Sequence, residues 1–91
     1  MALPDGLLNA VKNYNDITWD METEEEEKLT GIISRGMNTL DDLAGVSLDY
    51  TEEGAPREML MEYVRYTREN RLHMFFTEHL TRIVSLQVTQ T

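Results

Sequence analysis

The sequence predicts an all-α fold, a small bundle of about four helices with a loop between the second and third. Three observations carry this. Apolar residues recur at helical spacing through four stretches. The one candidate extended piece, Val46–Tyr50, is short and lies in a loop. Gly45 and Pro56 fall where one helix should stop and the next begin. At 91 residues the chain is one domain, 1–91, and a domain of this size buries only about 60–65% of its unfolded surface.

The first helix runs from about Asp5 to Tyr14, with Leu7, Leu8, Val11 and Tyr14 at helical spacing. Asn13, Asn15 and Asp16 end it, and Ile17–Asp20 turns into the second. That second helix has the strongest period in the chain. Leu29, Ile32, Ile33, Gly36, Leu40 and Leu43 share one stripe at 100° per residue. It begins near Asp20–Thr23, where either residue could cap and Thr23 with Glu26 fits a capping box, and it stops at Ala44-Gly45. Gly36 lies on the stripe, where a missing side chain lets another helix of the bundle approach closely. Val46–Gly54 reads as a loop. Pro56 suits the first turn of a third helix, because its missing N–H has no partner there anyway. Met59, Leu60, Tyr63, Tyr66 and Thr67 fall on its inner side. After a connection at Asn70–Leu72, a fourth helix from about His73 to Gln87 turns Phe75, Phe76, His79, Leu80, Ile83, Val84 and Leu86 inward.

Charge narrows the function classes. Eight bases against seventeen acids give a net charge of −9. This argues against stand-alone nucleic-acid binding, which needs a basic face to displace counterions. The charge is also unevenly divided: residues 1–54 hold 13 acids and 3 bases, residues 55–91 hold 4 acids and 5 bases. Such a polar object can stack on its own kind with unlike surfaces facing. No apolar run exceeds three residues, so no membrane partner is expected. No basic segment with an apolar stretch opens the chain, which points to an intracellular compartment or to that of something assembled inside a cell. The absence of cysteine removes disulfides and thiolate chemistry.

No catalytic constellation stands out. Ser34, Ser47 and Ser85 have no base nearby in sequence and no Gly-x-Ser-x-Gly pattern. His73 and His79 are six apart, about 240° around a helix, and cannot converge on one ion. The expectation is no enzyme, no cofactor and no metal. Trp19, Tyr63 and Tyr66 lie near arginines in a manner that could stack bases, but at this net charge packing is the expected role.

Several strings come in a familiar order: Val11-Lys12-Asn13-Tyr14, Asp16-Ile17-Thr18-Trp19-Asp20 and Asp42-Leu43-Ala44-Gly45. Asp49-Tyr50, Glu53-Gly54, Arg57-Glu58-x-Leu60 and Tyr63-Val64-Arg65-Tyr66 follow. Together, over residues 7 to about 87, they resemble the head–tail connector (adaptor, or head-completion) proteins of long-tailed double-stranded-DNA phages and prophages. Each string alone is an ordinary helix or turn signal, so the specificity lies in order and spacing. The resemblance implies a helical subunit without enzymatic activity that forms a ring, typically twelvefold, under the portal protein. The ring extends the DNA channel and offers a platform for the next connector, a stopper or tail-completion protein. Such a subunit can stay monomeric until the portal templates it. Its place is the virion's head–tail junction, reached from the host cytoplasm during assembly. Twelve copies would carry about −108 in all, and an acidic lumen repels phosphates at short range, so DNA passes without being bound.

Specific residues follow. The run Glu24-Glu25-Glu26-Glu27 favours the positive end of the helix macrodipole, and Glu24 can pair with Lys28. The same run is the candidate acidic channel or partner surface. Met61 and Met74 fall on the polar sides of their helices, where adaptable side chains could fill gaps between subunits. With Tyr66 and the outward-pointing Gly31 they form the candidate subunit interface. Leu86 and Val88, alternating with polar residues in the uncharged segment 85–91, form a candidate extended portal-docking tail. The rival reading is an acidic helical interaction protein, a DNA mimic seated in the DNA-binding cleft of a basic host protein. An adaptor should form large rings or join portal, whereas a mimic should stay small.

Overall fold

The computed structural model describes residues 3–4, 6–79, 81–82 and 84. Four helices follow in order: α1 (Leu7–Tyr14), α2 (Thr23–Ala44), α3 (Ala55–Arg68) and α4 (Leu72–Glu78). No strand occurs among the described residues, so the chain is a small all-α bundle, and Val46–Tyr50 is loop.

Helix ends follow local backbone chemistry. Gly6 takes a left-handed conformation (φ 79°), so α1 starts at Leu7. The expected Thr23/Glu26 capping box does not form. Thr23 is already helical, Glu22 holds the cap position in extended backbone, and no side chain caps the helix. The far end of α2 behaves as expected: Gly45 is left-handed (φ 77°) and its N–H bonds the Asp41 carbonyl at 2.8 Å. Pro56 sits in the first turn of α3. Asn70, at φ 62°, reverses the chain after α3, and the Arg71 N–H bonds the Tyr66 carbonyl at 2.7 Å. The continuous α4 ends at Glu78, with Thr81, Arg82 and Val84 helical beyond it. Val84 is 48% exposed rather than turned inward. The remainder of the expected helix lies outside the described residues.

α3 is the centre of the molecule, since α1, α2 and α4 all pack on it. A helix with three partners needs a wide apolar arc. Its buried residues are Met59, Leu60, Met61, Tyr63, Val64 and Tyr66, which at 100° per residue span about 220°. Met61 is therefore a core residue, 4% exposed, and not part of a polar outer side. α1 lies over it: Ala10 and Tyr14 line one hollow with Met61 and Glu58. Tyr66, 7% exposed, is likewise filled from within the chain. Both leave the set of accessible interface candidates.

The α2 stripe meets α3 as its period requires, with Leu29, Ile33, Gly36 and Leu40 buried. Gly36 sets the closeness of that contact. A Cβ there would stand 2.8 Å from Tyr63 Cδ1 and 2.9 Å from Leu60 Cδ1. Leu60 can swing its terminal methyl away, but the Tyr63 ring is held by Phe75, edge-on at 5.6 Å. Gly36→Ala is therefore expected to destabilise by about 1–2 kcal/mol, overpacking outweighing the roughly 1 kcal/mol gained in helix propensity. A urea midpoint unchanged or raised would show that the ring yields freely.

The α2–α3 loop is tied back to α2. Asp41 Oδ1 accepts the Leu48 N–H at 3.0 Å, and the Tyr50 hydroxyl lies 2.7 Å from the same oxygen and 3.0 Å from the Met37 carbonyl. Burial, reinforced by the Asp41 carboxylate, pushes the Tyr50 phenol far above its usual range. At the loop's crest Asp49 accepts both the N–H and hydroxyl of Thr51, which lowers its carboxyl. Arg57 closes the segment onto α3 by donating to the Thr51 carbonyl at 2.8 Å.

Candidate functional site

The region richest in exposed chemistry is the α1–α2 turn with the first turns of α2. Its geometry is set from Asn13 onward. The Asp16 N–H bonds the Asn13 carbonyl at 3.2 Å, and the Ile17 N–H bonds the Lys12 carbonyl at 2.9 Å. Asp16 is left-handed (φ 58°), which throws Ile17 into the core. With Ile17 filling the inward position, Trp19 two residues later is left 50% exposed. Its expected packing role is thus not what the fold gives it. A hollow of about 630 Å³ opens beside it, lined by Lys12, Ile17, Trp19, Asp20, Met21 and Glu26 among others.

The acidic run continues from this turn. Glu24, Glu25 and Glu27 face solvent, whereas Glu26 is half-buried. Glu26 leans back on α1, its Oε1 lying 3.6 Å from Lys12 Nζ. That strap between helices occurs instead of a Glu24–Lys28 pair, which is not formed among the described residues. Glu24 and Glu25 still lie in the first turn, where carboxylates offset the positive helix end.

A second cluster joins α1, α3 and α4. The Tyr14 hydroxyl donates to Glu62 Oε1 at 2.8 Å, and Arg65 Nη1 faces Glu62 Oε2 at 3.5 Å. Arg65 also reaches Glu69, and Arg71 lies between Glu69 (3.3 Å) and Glu78 (3.9 Å). The Tyr66 hydroxyl donates to Glu78, and that bond first, burial second, raises its phenol. For Tyr14 burial comes first and the Glu62 bond second. Tyr14 itself, expected on the inner stripe of α1, is 44% exposed and turned to α3. A hollow of about 430 Å³ lies here, lined by Tyr14, Asn15, Asp16, Arg65, Arg68 and Glu69. Its opposed charges neutralise one another, and beside it Glu62 Oε2 is buried without a hydrogen-bond partner, offset by the Arg65 charge 3.5 Å away. The cluster is a clasp between helices.

The other sequence candidates scatter. Gly31 is half-buried on α2, and a Cβ there would meet nothing closer than Arg35 Nη1 at 3.6 Å. Met74 is half-buried against the core rather than standing on a polar side. Together Gly31 and Met74 are what remains accessible of the four proposed interface residues. Leu86 and Val88 lie outside the described residues. His79 stacks on Phe75 at 4.9 Å, Nδ1 lying 3.2 Å from the Phe75 carbonyl, as a core-edge histidine does. Among the described residues no three His, Cys, Asp or Glu side chains are grouped to hold a metal ion, and no helix is long and apolar enough to cross a membrane.

No protein-family profile, curated protein or solved structure matches this chain. The functional reading therefore rests on the ordered strings and on the surfaces just described. Residue type alone gave no sign that Trp19 is exposed. The one available signal was its neighbour Ile17, a better core residue placed two positions away on a turn too short to bury both.

Proposed function

We propose that this chain is a structural, ring-forming adaptor at the head–tail junction of a long-tailed double-stranded-DNA phage or prophage. It docks under the portal, extends the DNA channel and offers a platform for a stopper or tail-completion protein. The observation that carries this reading is the order and spacing of the quoted strings across residues 7 to about 87. Two features support it. The domain is a small helical bundle whose hollows are open and lined by mutually neutralising or acidic groups. Glu24, Glu25 and Glu27 stand in solvent on one helix, where a conduit wall that must not bind DNA needs them.

The test is electron microscopy of the purified chain mixed with its cognate portal. A ring of added density coaxial with the portal is the expected result. Portal particles that gain none at saturating concentrations would overturn the reading, as would a virion lacking this polypeptide that still joins capsid to tail. A chain that stays small and instead captures a basic DNA-binding protein would favour the DNA-mimic alternative.

A further inference from the structure

We propose that Trp19 is the anchor of a docking knob for an arginine-bearing surface of a different protein. The knob sits on a turn held at its two ends. The Ile17 N–H bonds the Lys12 carbonyl on one side, and on the other the Glu26 N–H bonds the Glu22 carbonyl while its side chain faces Lys12. A half-exposed indole is among the side chains enriched at the energetic centre of protein interfaces.

The sign of the partner comes from the surroundings. Asp16, Asp20, Glu22, Glu24 and Glu25 are all exposed along this turn and the start of α2. The one cation in the adjoining hollow, Lys12, already faces Glu26. An indole face with carboxylates around it attracts guanidinium groups twice, through the ring quadrupole and through charge.

A second copy of the chain offers no net-positive hollow among three others. Of the other hollows, one balances Arg65 and Arg68 against Asp16 and Glu69. Another sets Arg57 against Glu53 and Glu58, and a third holds Glu26 and Glu27. None of these hollows is net positive, and the chain as a whole carries −9, so a different polypeptide is the better complement. That this polypeptide is the portal rests on the connector reading; the Trp19 contact does not.

Trp19 is the sole tryptophan, so its emission reports the site directly. The full chain is titrated at low salt with an acetylated, amidated hexa-arginine peptide carrying fluorescein, and read by tryptophan emission and peptide anisotropy. Saturable change in the emission is expected, with Trp19→Ala binding the peptide about tenfold more weakly while its circular dichroism is unchanged. Val46→Ala, altering an exposed apolar side chain in the α2–α3 loop, should bind as the parent does. Equal peptide affinity of Trp19→Ala and the parent, or an emission that never moves, overturns the proposal. So does sedimentation showing that the parent self-associates through Trp19. Portal binding is then scored separately. A chain that takes the peptide at Trp19 but ignores portal sinks the connector reading alone, whereas portal binding undiminished in Trp19→Ala sinks the portal as this knob's partner.

Discussion

Phe75→Ala is expected to remove about 3–5 kcal/mol of stability, out of a total of about 5–14 kcal/mol for a chain this long. Phe75 is fully buried and is the hub of the aromatic packing. Tyr63 and Tyr66 of α3 meet it edge-on at 5.6 and 5.9 Å, Phe76 does so at 5.2 Å, and His79 stacks on it at 4.9 Å. α4 is only seven residues long, far below the length at which a helix holds itself together in water. Its attachment is therefore almost wholly tertiary. Urea unfolding should show a much lower midpoint, together with a smaller m-value if α4 is lost from the native state first. A shift worth under 1 kcal/mol would mean that the neighbouring rings collapse into the space.

Met61→Glu should be nearly as damaging, about 3–5 kcal/mol at neutral pH, because an uncompensated carboxylate would replace a core thioether. Met61→Leu, of similar volume, should cost under about 1.5 kcal/mol. The pH dependence gives a second reading. Burial raises the introduced carboxyl's pKa in the folded state, so the defect is full above that raised value. It should shrink as acid protonates the group in both states. A Met61→Glu chain that unfolds like the parent at pH 7 would show that Met61 is outer surface after all.

Met61 also marks where the sequence stops being legible. The α2 stripe could be read because α2 offers one apolar face to the bundle, and a single face imposes a clean period on Leu29, Ile33, Gly36 and Leu40. The Gly45 stop and the Pro56 start were legible for local reasons, since each depends on one residue's backbone. α3 is different. Three helices surround it, so burial spreads past its main stripe to Met61, whose sequence neighbours Arg57, Glu58, Glu62 and Arg65 signal solvent. What moves Met61 inside is α1, an element distant in sequence. The Thr23 cap failed because helix entry was decided by the Glu22 backbone rather than by a side-chain bond. Trp19 was misplaced since residue type predicts burial on average, while the α1–α2 turn has one inward position and Ile17 takes it. The acidic run was legible as a surface, with the exception of Glu26, whose partner Lys12 belongs to another helix.

The Tyr50–Asp41 contact gives the domain a particular weakness toward strong base. Its phenol is held protonated in the native state far beyond the value near 10 at which a free tyrosine ionises. Below that value the contribution is complete. Above it the denatured chain sheds a proton that the native one retains, and the advantage drains away as alkalinity rises toward the native value. The α2–α3 connection thus behaves as a fuse in caustic solution, while in neutral and acidic media its phenol stays neutral in both states and adds no slope.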